Sequence, residues 1–138
     1  DNPLTRIATA VTILLRDLAA APTQARLAAR AVVTLPDVAE AVQARLRADL
    51  TEAQLAGMLA VGSVDLAARI VVALVEQASW LFSAGRIDAT AVPDIVRAIL
   101  RALGCSVDEA AERTDEAASN ADAFAKRTSD AASKGPSA

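Results

Sequence analysis

The chain has 138 residues, room for one domain and a tail, and 54% of them are hydrophobic, which supports a packed core and excludes a disordered chain. Aromatic residues are confined to Trp80, Phe82 and Phe124, so the core must be aliphatic; histidine and tyrosine are absent, which removes the commonest general base, the commonest metal ligand and the Ser-His-Asp arrangement together. The net charge of −3 arises from residues 105–138, with four bases against seven acids, because residues 1–104 carry ten arginines and ten acids; neither part has the basic stripe that phosphate binding needs.

Asn2-Pro3 has the form of an N-cap followed by proline at the first helical position. The helix it opens puts Leu4, Ile7, Ala8, Val11, Leu14, Leu15 and Leu18 on one apolar stripe. Ala21-Pro22-Thr23 breaks it, since proline disfavours helix in the residue before it, and Thr23 can cap a short second helix carrying Leu27, Ala31 and Val32. A third helix starts at Pro36, with Asp37 and Glu40 near its positive end, and is expected to run to about Ala60. Thr51-Glu52-Ala53-Gln54 has the form of a capping box that would split this helix, but no proline interrupts it and continuity is expected.

The fourth helix, residues 64–84, follows the turn at Gly62-Ser63. Between Leu66 and Phe82 its only clearly polar residues are Arg69, Glu76, Gln77 and Ser79, and apolar residues occur all round the cylinder, which implies burial on most sides. Gly85 can close it. A fifth helix begins after Thr90, with Pro93 in its first turn, carries Val92, Ile95, Val96, Ile99, Leu100 and Leu103, and ends at Gly104. The fold class is therefore all-α, a five-helix, bundle-like domain over residues 1–104.

Residues 108–135 repeat with a period of seven (DEAAERT, DEAASNA, DAFAKRT, SDAASKG), which brings Val107, Ala111, Thr114, Ala118, Ala121, Ala125, Thr128 and Ala132 onto a heptad pattern. A coiled coil wants Leu or Ile where this pattern has Ala and Thr, so any seam is weak. Residues 105–138 are expected to form an Ala-rich, weakly packed, solvated helix ending near Gly135-Pro136, with a coiled-coil partner as the alternative.

Five helices in about a hundred residues make a thin bundle. A stripe of the fourth helix, Val72, Val75, Ser79 and Phe82, would then face water in a single chain. Leaving large apolar side chains exposed forgoes roughly 1.5–3 kcal/mol each, a sum on the order of 10 kcal/mol that rivals the stability of a whole domain. A two-fold homodimer through residues 64–84 and 91–103, with Ile95 and Ile99 joining the stripe, removes the exposure. The alternative is that the fourth helix is the central helix of a monomer.

Catalytic apparatus is not visible. Cys105 is alone, which rules out an intrachain disulfide and fits a reducing cytosol. Glu76 sits mid-helix with Arg69 seven residues earlier, and a structural pair, within the helix or across an interface, is the expected role. No GxGxxG, P-loop or metal-ligand cluster occurs, so a non-enzymatic protein without cofactor or metal is expected. The longest unbroken aliphatic run, residues 70–75, is too short to span a bilayer and no signal peptide is evident, pointing to a cytoplasmic protein with no membrane partner. Helical bundles hold ligands between helices, and Thr12, Arg16, Gln77 and Trp80 are the candidate polar handles for a small apolar effector.

The order of these features is that of a known family. Asn2-Pro3-Leu4 leads a leucine-striped helix, then comes an Arg- and Ala-rich stretch over residues 25–33 and the Leu35-Pro36-Asp37-Val38 start of a long helix. The nearly all-apolar AARIVVALVEQASWLF, the turn SAGRID and the closing VPDIVRAILRALG follow. Over residues 1–104 this resembles the C-terminal ligand-binding and dimerisation domain of bacterial TetR-family transcription regulators. The resemblance implies a homodimer through the last two helices, an effector pocket among the earlier ones, and repression relieved by that effector. The family's N-terminal helix-turn-helix is not in these residues, so DNA binding is expected only through a segment preceding Asp1, unless the chain only dimerises. The heptad tail is no part of the family pattern. The competing expectation is a structural bundle that dimerises and binds no ligand.

Overall fold

A computed structural model of the chain describes residues 2–24 and 36–135. Among these residues every regular element is helical: α1 (Pro3–Ala20), α2 (Pro36–Leu55), α3 (Val64–Ser83), α4 (Val92–Leu103) and α5 (Val107–Ser133), with a short 3₁₀ turn at Ala89–Ala91 before α4. The expected second helix around Leu27, Ala31 and Val32 falls outside the described residues.

α1 begins as its sequence dictates. The Asn2 side-chain oxygen accepts from the Leu4 and Thr5 amides, at 2.9 and 3.4 Å, and Pro3 takes the position where a missing N–H costs nothing. Leu4, Ile7, Ala8, Val11, Leu15 and Leu18 are buried as the stripe requires, while Leu14 is left exposed. Thr5 and Thr12 are buried too, so the buried arc of α1 exceeds the leucine stripe. This helix touches α2, α3, α4 and α5. The central helix is therefore α1, and the alternative that residues 64–84 form the central helix of a monomer is corrected: within the chain α3 packs one face on α1, α2 and α4 and shows the other to solvent.

α2 is continuous through Thr51, whose hydroxyl donates back to the Arg47 carbonyl at 2.7 Å and so does not cap a new helix. It stops at Leu55, short of Ala60. Gly57 takes φ +70°, its amide donates to the Gln54 carbonyl and the Met58 amide to Ala53, which together form a Schellman close. An isolated glycine inside an apolar pattern gives little warning of such a stop. Arg6 clamps α2 to α1, holding Asp49 at 2.9 Å and also Glu52. Asp49 itself is buried.

Asp65 in the first turn of α3 accepts from Arg47 of α2 at 2.5 Å and from Arg69 at 3.0 Å, and these bonds, Arg47 first, hold its carboxyl below the ordinary carboxylate range. A carboxyl whose folded pKa is depressed contributes stability above its unfolded value, about pH 4, and loses it as pH falls through the folded value. The Asp65→Asn variant should show a shallower loss of stability than the native chain below about pH 4 in acid titration followed by circular dichroism. Parallel titration curves would contradict this.

The tail departs most from expectation. The capping box of Ser106 and Glu109 starts α5, with Glu109 N–H donating to Ser106 Oγ at 3.2 Å and Ser106 N–H to Glu109 Oε2 at 2.9 Å. From there Ala110, Thr114, Ala117 and Ala121 are buried against α1 and α4. The expected weakly packed helix is thus corrected for its first half: Cys105, Ala110 and Ala117 belong to the same core as Leu4, Leu15 and Leu100, and the compositional change at Gly104 is not a packing boundary. Of the expected heptad, Thr114 and Ala121 are buried and Ala111 and Ala118 half-buried, whereas Val107 is exposed and Ala110 and Ala117, one position away, complete the buried stripe. Alanine supplies little area, yet its small size lets α5 approach α1 closely. Polar bonds then join the two helices: Thr5 to Glu116 at 3.1 Å, Asn120 to Thr9 at 3.4 Å and Arg16 to Asp122 at 2.7 Å. Residue numbers rise together across these bonds, so α1 and α5 run parallel. Residues 122–135 are exposed, as expected for a solvated end. Ala117→Leu should lower stability by about 1–3 kcal/mol through overpacking, while Ala125→Leu at an exposed heptad position should change it by less than about 0.5 kcal/mol; thermal unfolding of the pair is the measurement.

Candidate functional site

The residues expected at a dimer interface are mostly covered by their own chain. Ser79, Phe82 and Ile99 are 5%, 2% and 1% exposed, and Val72, Val75 and Ile95 are half-buried, the last two packed on the core. The correction has a simple physical origin. Apolar residues surround α3, so periodicity leaves open which side faces inward, and the side carrying Ala67, Ala68, Val71, Ala78 and Phe82 is the one that meets α1, α2 and α4.

The solvent face is the opposite one. Leu66 and Trp80 are 51% and 53% exposed, Ala73 between them is exposed, and Ile70 beside them is half-buried. Polar groups punctuate the same face: Arg69, Glu76 and Gln77 are all exposed. Arg69 reaches back to Asp65 instead of forward to Glu76, and Glu76 takes part in none of the ion pairs among the described residues. The Arg86 guanidinium stacks 5.6 Å above the Trp80 ring centroid, holding one edge of the face by a cation–π contact. The seven-residue spacing of Leu66, Ala73 and Trp80 was available in the sequence. The buried side has the same spacing, in Ala68, Val75 and Phe82, so the packing neighbours decide which stripe is exposed.

α3 is also a 20-residue helix with a mean hydropathy of 1.4 in its most apolar window, long and apolar enough by length and composition to cross a membrane. The expectation drawn from the unbroken run of residues 70–75 is corrected to that extent. About a third of the window is buried within the chain, on the face that packs against α1, α2 and α4.

The four candidate ligand handles fall into two pairs that do not meet. Gln77 and Trp80 lie on the solvent face of α3. Thr12 and Arg16 line a small cavity of about 90 Å³, bounded also by Val92, Pro93, Thr114 and Ala118, where α1, α4 and α5 come together. Both threonine hydroxyls donate to carbonyls one turn back, Thr12 to Ala8 and Thr114 to Ala110, each at 2.7 Å, and Arg16 is engaged by Asp122 at the rim. That volume suits a few waters and falls well below the roughly 300–1,000 Å³ of pockets that enclose drug-sized ligands.

Other chemistry is sparse. Among the described residues no group of three His, Cys, Asp or Glu side chains could hold a metal ion. Cys105 is buried, and burial pushes its thiol pKa up, with Arg113 pulling weakly the other way, so the sulfur is kept protonated and is not an activated nucleophile. Sequence reasoning missed the clamp of Arg6 on Asp49 and Glu52, which joins residues more than forty positions apart and leaves no local pattern to find. No family model matches the chain, and searches of curated proteins and of solved structures likewise return no match.

Proposed function

We propose that this chain is a non-enzymatic homodimerisation domain, and that its physiological setting is a TetR-like transcription regulator. One observation carries the first part. A folded chain that covers Phe82, Ile99 and Leu100 with its own residues nonetheless leaves Leu66 and Trp80, on one face of one helix, about half in water. Single exposed apolar residues are ordinary, but an aligned series on a rigid helix is what a helix-packing partner covers. A second copy is the simplest partner, because one self-complementary patch then serves both sides. The regulator setting rests on the order of sequence features alone, and DNA contact in that setting belongs to a helix-turn-helix outside these residues.

The cavity at Thr12 and Arg16 is too small to enclose a drug-sized effector, and the alternative is a bundle that associates and binds no ligand. Sedimentation equilibrium at micromolar concentration tests the dimer. A mass of twice the 14.2 kDa chain is expected, and a monomer up to about 100 µM would overturn the proposal.

A further inference from the structure

The solvent face of α3 is arranged symmetrically about Ala73. Leu66 and Trp80 stand seven residues before and after it, about 10.5 Å away along the axis at 1.5 Å per residue. Arg69 stands four residues before it and Glu76 three after. At about 100° per residue, Arg69 and Glu76 lie on the same side of the line through Leu66, Ala73 and Trp80, while Ile70 and Gln77 lie together on the other side.

This arrangement selects one way for the face to meet a copy of itself. In an antiparallel pair related by a two-fold axis level with Ala73, each residue keeps its side and reverses its height. Leu66 then meets the partner's Trp80, Ile70 meets the partner's Gln77, and Arg69 meets the partner's Glu76, every contact occurring twice. Ala73 sits at the crossing, where a methyl group lets the helix axes approach closely. A parallel pair on the same face would set Arg69 against Ile70 and Glu76 against Gln77, matching neither charge.

We infer that a second copy docks on this face in the antiparallel register centred on Ala73, fixed by reciprocal Arg69–Glu76 ion pairs; the inference presupposes the self-association proposed above. Within one chain Glu76 has no ion-pair partner among the described residues, and Arg69 is 75% exposed although one side of its guanidinium is held by Asp65. Arg69 can therefore bridge Asp65 of its own chain and Glu76 of the other. The pairing accounts for an acid placed in mid-helix on an otherwise apolar face.

Two measurements on the full chain separate the register from the dimer itself. Ala73→Cys should give a disulfide-linked dimer on mild oxidation, because a pair centred on that level, antiparallel or parallel, brings the two introduced thiols within bonding distance, and the charge swap then selects the antiparallel register; the native chain, whose single Cys105 is buried, serves as the control. Glu76→Arg should weaken dimerisation about tenfold, and Arg69→Glu likewise, whereas the double swap should return the dissociation constant to within about threefold of native. Circular dichroism of each variant checks that the helices persist. A dimer whose Ala73→Cys variant does not cross-link, or whose double swap stays weak, overturns the register while leaving self-association intact. A monomeric native chain overturns both.

Discussion

Replacing Gly104 by alanine is expected to lower stability by about 2–5 kcal/mol, enough to threaten the fold of a domain this size. Two effects add. Gly104 closes α4 at φ +120°, a backbone conformation that side chains with a Cβ rarely adopt. A Cβ there would also stand 2.6 Å from the Ala60 backbone nitrogen and 2.7 Å from its Cβ. Retreat is blocked, because the Ala60 amide donates to the Leu103 carbonyl at 2.9 Å and ties the two segments together. Urea unfolding of the variant should show a much lower midpoint; an unchanged midpoint would mean that the docking of residues 58–61 on the end of α4 is wrong.

Phe82→Ala carries the second large effect, a loss of about 3–5 kcal/mol from a cavity in a close-packed core. Phe82 is 2% exposed and shares its core with Val71, Val96 and Leu100. The contrast with its near neighbour is what makes the experiment informative. Trp80→Ala, measured at a concentration where the chain is monomeric, should change stability by less than about 0.5 kcal/mol. If the two substitutions had equal effects, the orientation assigned to α3 would be incorrect. The pair reverses what composition alone suggests, since tryptophan is the larger apolar side chain.

Local chemistry in this sequence was readable, and packing direction was not. Asn2 and Pro3, Ser63, Pro93 and Gly104 mark helix ends that the structure places within a residue or so of expectation, because caps and breakers act on the nearest turn. The stripes of α1 and α4 were clearer, since most of their large aliphatic residues fall on one side of each helix. α3 gave no such contrast: with Leu66, Ile70, Val72, Val75 and Trp80 spread round its circumference, one amphipathic direction fits about as well as another, and the choice depends on which neighbours arrive. The same dependence hid the packing of α5. Ala110, Thr114, Ala117 and Ala121 bury too little area to announce a seam, and their value lies in the close approach they permit to α1, which no property of the tail alone reveals. For the candidate site, Arg69, Glu76 and Trp80 were visible as polar or aromatic interruptions of an apolar run. Their membership of one exposed face, with Leu66 and Ala73, required the three-dimensional arrangement.

The central claim is that the solvent face of α3 is covered by a second copy, and Trp80 reports on it directly because it is the chain's single tryptophan. Its fluorescence should be followed as the protein is diluted from about 100 µM through the dissociation constant. A blue-shifted emission that moves to the red on dilution, in step with the fall in sedimented mass, is the expected result. Emission typical of a water-exposed indole, unchanged at every concentration, would contradict it.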